Sequence, residues 1–331
     1  MPRLRRVSVT SPGYARRRAG RGWVYLDDGV RIDDPDVLER CRALAIPPAW
    51  RDVWICRYPQ GHVQAFGYDD AGRGQYVYHP QWVERRSRRK FDHVLDVARA
   101  LPAARRRVAR DLDEDGMGRD RVLALAFRLL DTAYFRAGSE SYARENASYG
   151  LATVRKEHAS VRADGTVRFR YPAKSGQVRD VVVDDPQVAA AVTTLRRRRG
   201  DGDLLVWHDE AEDRAAGHVV WHDVTSGDVQ AHVKELLGPD ATPKDLRTWH
   251  ATVLAAQALA QAGAPPTSER GRRAVLAQVY RDVAAELGNT PAVARSSYVD
   301  PRLVDEWTRG VTIARTRSTA RAEREVLELL G

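Results

Sequence analysis

Tyr298 sits in "LGNTPAVARSSYVDP", residues 287–301, just beyond a long helical pattern. A phenol there could pack into a core, or it could be presented to a phosphate as a nucleophile. Lys174, at the tip of "RYPAKSGQVRD", is one of only five lysines against 49 arginines. Arginine cannot surrender a proton in a protein, whereas lysine can, so a lysine kept at a hairpin tip could be a general acid. The alternative is an exposed turn lysine. Arg136, in "YFRAGS", ends an apolar helical pattern beside Tyr134 and Phe135, where a charge must snorkel or find an anion. Arg247, in "PKDLRTWH", lies in the first turns of a helix packed by Leu246 and Trp249. Each arginine alone could form a structural ion pair. Two guanidiniums held on core helices could instead clamp one phosphate, because the guanidinium fork donates bidentately to its oxygens. Asn289, nine residues before Tyr298, is an uncharged donor and also fits a helix C-cap.

A second group lies in "GRGQYVYHP". On a strand, Tyr76 and Tyr78 share a face and Gln75 points the other way or belongs to the preceding loop. The two rings could be buried, or could form an aromatic face against a DNA groove flanked by Arg73. The net charge of +9 over 331 residues points to a polyanionic partner, although a GC-rich genome would favour arginine without functional cause. Two cysteines, Cys41 and Cys56, are too few for a metal site or disulfide framework and read as reduced thiols of a cytosolic protein. The strongest apolar run, "VLALAFRLL", is interrupted by Arg128 and is too short to span a bilayer, so no membrane association is expected.

The elements that must hold these residues read as an α+β chain. Residues 1–22 form a basic N-terminal arm, expected to be mobile and without the apolar run of a signal peptide. Residues 23–84 form a small β-rich domain with one short helix at "DPDVLERCRALAI", capped by Asp34 with Pro35 at its first position. Residues 85–90 form an Arg-rich linker, either a solvated connector or a phosphate-contacting hinge. From residue 91 the period becomes helical. Residues 152–184 switch to strands that turn at "RADG" and "AKSGQ", predicting a three-stranded antiparallel sheet inside a larger, mainly α domain. Helices resume at 186–198, 225–237 and 243–262, and Val275, Val279, Val283 and Leu287 mark the core-facing stripe of the next.

The ordered set Arg136, Lys174, Arg247, Asn289 and Tyr298 resembles that of the type IB DNA topoisomerases, in their compact bacterial and poxvirus-like branch. The resemblance spans nearly the whole chain through "LAIPPAWRDVWIC", "GHVQAFGYDDAGRGQYVYHPQW", "KFDHVLDVARALP", "LDTAYFRAGSESYARENASYGLATVRKEH", "YPAKSG", "KDLRTWHAT" and "LGNTPAVARSSYVDP". It implies the catalytic fold shared with tyrosine recombinases, and relaxation of supercoiled double-stranded DNA without ATP. Tyr298 would be the nucleophile of a 3′-phosphotyrosyl intermediate, Arg136 and Arg247 would neutralise the transition state, and Lys174 would protonate the leaving 5′-oxygen. Asn289 stands where some members carry histidine, which keeps a donor and removes a titratable group. Gln75, Tyr76, Tyr78 and Tyr142 match DNA-contacting positions. The resemblance implies no metal and no cofactor, and a cytoplasmic, nucleoid-associated monomer.

Two other readings compete. A tyrosine recombinase would share the chemistry, but its usual His-x-x-Arg is Lys244-Asp-Leu-Arg247 here, and its N-terminal domain is helical rather than β-rich. A non-catalytic basic DNA-binding protein would use Tyr298 only as core and would form no covalent adduct.

Overall fold

The computed structural model describes residues 3–331, with the side chains of Tyr142 and Ser175 excepted. The chain divides into two units, Met1–Lys90 and Phe91–Gly331.

In the first unit, short aromatic and β-branched runs separated by turns form β1 (Gly13–Ala19), β2 (Gly22–Asp27), β3 (Val30–Arg31), β4 (Arg51–Cys56), β5 (Val63–Tyr68) and β6 (Gly74–Tyr78). They make one antiparallel sheet in the order β3-β2-β1-β4-β5-β6. Helix α1 (Pro35–Ala43) begins as its sequence dictates, with the Asp34 carboxylate accepting from the amides of Asp36 at 2.9 Å and Val37 at 3.2 Å. It helps to close a small core of Tyr25, Cys41, Ile46, Val53, Ile55 and Ala65. Cys41 and Cys56 are both free and buried.

The basic arm expected over residues 1–22 is part of this sheet from Gly13 onward, since β1 pairs with β2 on one side and β4 on the other. Its arginines are structural surface. Arg16 lies 3.9 Å from the Trp23 ring centroid and donates through Nη1 to the Ile46 carbonyl at 2.8 Å and through Nη2 to the Pro47 carbonyl at 2.9 Å, so its stem covers apolar area while the end of its head is satisfied. Residues 85–90, expected as a linker, lie inside helix α2 (Pro80–Leu112). Glu, Arg and Lys are good helix formers, and "ERRSRRK" contains no Gly or Pro to break the helix.

The second unit is mainly helical. After α2 come α3 (Arg119–Thr132) and the short α4 (Glu140–Asn146). The three-stranded antiparallel sheet follows, β7 (Ala159–Val161), β8 (Val167–Pro172) and β9 (Val178–Val183), in that order. Its first strand is shorter than expected. Residues 151–158 fold into two 3-10 turns, with the Arg155 amide donating to His158 Nδ1 at 3.1 Å and that of Lys156 to the Gly202 carbonyl at 3.1 Å. The chain continues through α5 (Pro186–Arg197), β10 (Val206–Trp207), α6 (Glu210–Ala216), β11 (His222–Asp223), α7 (Ser226–Leu237), α8 (Pro243–Ala262), α9 (Glu269–Leu287), α10 (Pro291–Val293), α11 (Pro301–Thr308) and α12 (Thr319–Leu330).

Helix α8 is the hub. It packs against α3, α7, α9, α11 and α12 and is buried along most of its length, as an apolar helix in the middle of a domain must be. Val279, Val283 and Leu287 of α9 are buried, and Val275 packs at the edge of the same core. Among the described residues no helix is long and apolar enough to cross a membrane.

Candidate active site

Arg136 is placed by a loop. Helix α3 ends at Thr132, so Arg136 lies four residues beyond the helix rather than on it. The chain turns at Tyr134, whose φ of +56° is a left-handed conformation that a bulky residue rarely adopts. Phe135 then anchors the loop in the core, with ring centroids 5.2 Å from Phe169 and 5.4 Å from Tyr171. The Arg136 carbonyl accepts from the Leu151 amide at 2.8 Å and that of Ala137 from the Ala152 amide at 2.9 Å. This stitching brings Gly138 and Gly150 backbone to backbone, and a Cβ on Gly150 would overlap the Gly138 Cα. The glycines are required by that approach.

Arg247 is placed by α8. Thr242 and Asp245 form a capping box, with the Asp245 carboxylate accepting from the Thr242 amide at 2.9 Å and hydroxyl at 2.7 Å. Arg247 follows in the second turn and is only 3% exposed. Its guanidinium donates to the carbonyls of Tyr134 and of Leu287, the latter at 2.8 Å, and to Asn289 Oδ1 at 3.3 Å. The turn at Tyr134 thus supplies the carbonyl that fixes Arg247.

Asn289 is placed by the end of α9. Gly288 takes φ +63°, and the Asn289 amide reaches back to the Ala284 carbonyl at 2.9 Å, a Schellman closure. The side chain is then free to face the arginines. Its Oδ1 accepts from Arg136 at 2.6 Å and from Arg247, while Arg136 also donates to the Gly288 carbonyl at 2.6 Å. Asn289 therefore acts first as an acceptor that gathers two guanidiniums. Its Nδ2 and the Nε of Arg247 are buried donors without a hydrogen-bond partner among the described residues.

Neither arginine forms an ion pair with a carboxylate among the described residues. Burial, together with the positive charge of Arg136, lowers the Arg247 pKa from 12.5 to about 10, while the Tyr298 phenol pulls it upward. A buried guanidinium and a half-buried one, neither paired to a carboxylate among the described residues, make a site that an anion would relieve.

Tyr298 closes a wide π-type turn, Ala294–Tyr298, in which the Val299 amide donates to the Ala294 carbonyl at 3.0 Å. Such turns often mark functional positions. The Tyr298 carbonyl accepts from Thr252 of α8 at 3.3 Å, and its half-buried ring lies with its centroid 5.5 Å from the Arg247 Cζ and 6.0 Å from the Lys244 Nζ. Lys174 occupies the exposed 3-10 turn Lys174–Gly176 between β8 and β9, closed by the Ala173 amide donating to the Gln177 carbonyl at 2.7 Å. It lines a cleft of about 330 Å³ with Arg136, Gly138, Ser139, Ser141, Ser148 and Tyr149. The second unit thus gathers Arg136, Arg247, Asn289 and Tyr298 directly, and brings Lys174 to the same cleft as Arg136.

In the first unit, Tyr76 and Tyr78 share a face of β6 and stack at 5.6 Å, with Tyr76 46% exposed. Gln75 points away and donates to Asp69 at 2.9 Å. Tyr142 belongs to α4, and its side chain lies outside the described residues.

Two features went unread in the sequence. Asp131, buried at the end of α3, accepts from Arg105 at 2.7 Å and is 2.9 Å from His250 Nε2. Glu323 of α12 accepts from the same Arg105 at 2.6 Å and from Trp249 Nε1 at 3.2 Å. Burial alone would raise the Asp131 carboxyl, but hydrogen bonds from His250 and Arg105 hold it well below the usual carboxylate range. The Tyr134 ring lies 5.1 Å from His250, so this network underlies the turn that fixes Arg247. The second feature is Arg179, whose guanidinium donates to the Ala133 carbonyl at 3.3 Å. Nothing in the spacing of these residues joins α2, α3, α8 and α12 in advance.

Comparison with known proteins agrees with this geometry. The family described as eukaryotic DNA topoisomerase I, catalytic core, matches residues 80–318, which include all five site residues. The family described as bacterial DNA topoisomerase IB, N-terminal domain, matches residues 22–69. The chain is 29% identical over 291 residues to a protein named DNA topoisomerase 1B from Acanthamoeba polyphaga mimivirus, covering 87% of this chain and 85% of that relative. With a tyrosine beside two anion-seeking arginines, and a catalytic-core match across most of its length, the chain belongs to the type IB DNA topoisomerases, isomerases that relax supercoiled DNA by transient cleavage of one strand.

Proposed function

We propose that Tyr298 Oη attacks the scissile phosphorus, forms a 3′-phosphotyrosyl bond and releases its phenolic proton to solvent water, while the bond to the 5′-oxygen breaks and Lys174 supplies that oxygen with a proton. Arg136 and Arg247 carry the charge that builds on the nonbridging oxygens. Asn289 holds both arginines through Oδ1 and offers Nδ2 to the same phosphate. The broken strand rotates about the intact one, and the 5′-hydroxyl then attacks the phosphotyrosine in reverse. The phosphodiester energy is kept in the covalent bond, so the cycle runs without ATP, and the guanidiniums supply the positive charge without a metal or cofactor.

One observation carries this reading. The buried guanidinium of Arg247 and the half-buried one of Arg136 converge on one asparagine oxygen beside Tyr298, with no carboxylate paired to either among the described residues and with unpartnered donors at Arg247 Nε and Asn289 Nδ2. Gln75, Tyr76, Tyr78 and Tyr142 contact the duplex, and the protein acts as a monomer on nucleoid DNA in the cytoplasm. The test is plasmid relaxation without ATP and with EDTA. Wild type relaxes the plasmid, and Tyr298→Phe binds DNA but leaves the supercoils in place. Relaxation by Tyr298→Phe at near wild-type rate would show that another residue is the nucleophile.

A further inference from the structure

Strand β9 alternates, and its inward positions near the hairpin end are Arg179, Val181 and Val183. An arginine is the unexpected member of that set. Arg179 lies across from Tyr171 in the β8–β9 ladder, one pair beyond Pro172 and Val178, where the ladder gives way to the turn that carries Lys174. Its guanidinium donates to the Ala133 carbonyl at 3.3 Å. It also packs so closely over Gly288 that a Cβ there would meet its Cδ and Nη1 at 3.4 Å. Ala133 adjoins Tyr134, whose carbonyl holds Arg247, and Gly288 supplies a carbonyl that holds Arg136.

Among the described residues Arg179 has no carboxylate ion pair. Burial lowers its pKa, Tyr171 and Glu286 oppose the shift, and the charge of Arg136 adds to it. A residue serving stability alone would be better apolar at this position, since half-burying a cation that has no ion pair among the described residues beside two others costs free energy.

We propose that Arg179 is a positioning residue for the proton-transfer step, pinning the base of the Lys174 hairpin to the Ala133 and Gly288 backbone that also holds Arg136 and Arg247. Lys174 itself sits on an exposed turn, and its side chain makes no hydrogen bond among the described residues. The placement of its amine relative to the arginines must come from the strand below it, and Arg179 is where that strand grips the arginine-holding loops. This inference rests on Lys174 being the acid.

The test measures single-turnover cleavage by Arg179→Met, Arg179→Lys, Lys174→Ala and the Lys174→Ala/Arg179→Met double variant. Each is assayed on a duplex with a 5′-bridging oxygen and on one with a 5′-bridging sulfur, which leaves as a thiolate without needing a proton. Arg179→Met is expected to melt no lower than wild type and to cleave the oxygen substrate about 10–10²-fold more slowly, the scale of a misplaced catalytic group. It is expected to approach the wild-type rate on the sulfur substrate, and Arg179→Lys to recover part of the oxygen rate. The double variant is expected to be no slower than Lys174→Ala alone, because Arg179 acts through Lys174. An unchanged Arg179→Met rate, an equal loss on both substrates, or additive losses in the double variant would each overturn the proposal. If sulfur rescues Lys174→Ala but not Arg179→Met, only the role of Arg179 falls. If sulfur fails to rescue Lys174→Ala, the acid assignment falls and this inference with it.

Discussion

Asn289 shows how a single side chain can set the geometry of a charged site. Its Oδ1 accepts from two guanidiniums that would otherwise repel each other, and its Nδ2 is left as a buried donor. Replacing it by Asp keeps the shape, turns both contacts into ion pairs and removes the donor. Asn289→Asp should therefore be more stable by about 1–3 kcal/mol in chemical denaturation. It should cleave DNA about 10²-fold or more slowly, because the arginines are neutralised and one phosphate donor is lost. Faster or unchanged cleavage would contradict the gathering role. The five candidate residues could be singled out because lysine is rare here, because a phenol, two arginines and an amide suit phosphate chemistry, and because their order resembles that of a known family. The direction of the asparagine contact was not, since an amide offers both an acceptor and donors and sequence does not show which faces what. Arg179 was illegible for a related reason. Nothing in "VRDVVVD" says that Asp180 pairs with Arg168 on the outer face while Arg179 turns inward.

At the scale of elements, the site depends on helices far apart in sequence. Helix α12 reaches the centre through Glu323, and α2 through Arg105, and both meet Asp131 and His250 beneath Tyr134. Removing one partner of such a buried network leaves charge unpaired, so Asp131→Asn should cost about 3–5 kcal/mol in urea unfolding. The carboxyl is held below its unfolded value of 3.8. Its contribution is thus fully present above that value and is lost as pH falls through the lower folded value. Asp131→Asn should accordingly flatten the acid limb of the stability profile below about pH 4. A wild-type-like acid limb would contradict the assignment. Local chemistry made many elements readable, as with the Asp34 cap and the Thr242–Asp245 box. Where the outcome depended on tertiary partners, it was not. Strand β1 looked like a charged arm because nothing in "YARRRA" says that Trp23 and the Ile46 carbonyl will receive Arg16.

At the scale of the whole molecule, the net charge of +9 and the family's substrate lead to one physical expectation, that binding of duplex DNA is driven by release of counterions. The logarithm of the association constant should fall linearly with the logarithm of salt concentration, with a slope of about −0.9 per phosphate neutralised. A flat response would mean that the arginine content is only compositional. Trapping the covalent intermediate shows directly whether Tyr298 is the nucleophile. Wild-type protein is mixed with a DNA duplex labelled on the 5′ side of the nick, denatured during cleavage, digested, and the labelled peptide sequenced. The expected outcome is a single adduct, a 3′-phosphate ester on Tyr298 within residues 287–301, absent from Tyr298→Phe. An adduct on another residue, or label carried by the 5′ end of the downstream strand, would contradict it.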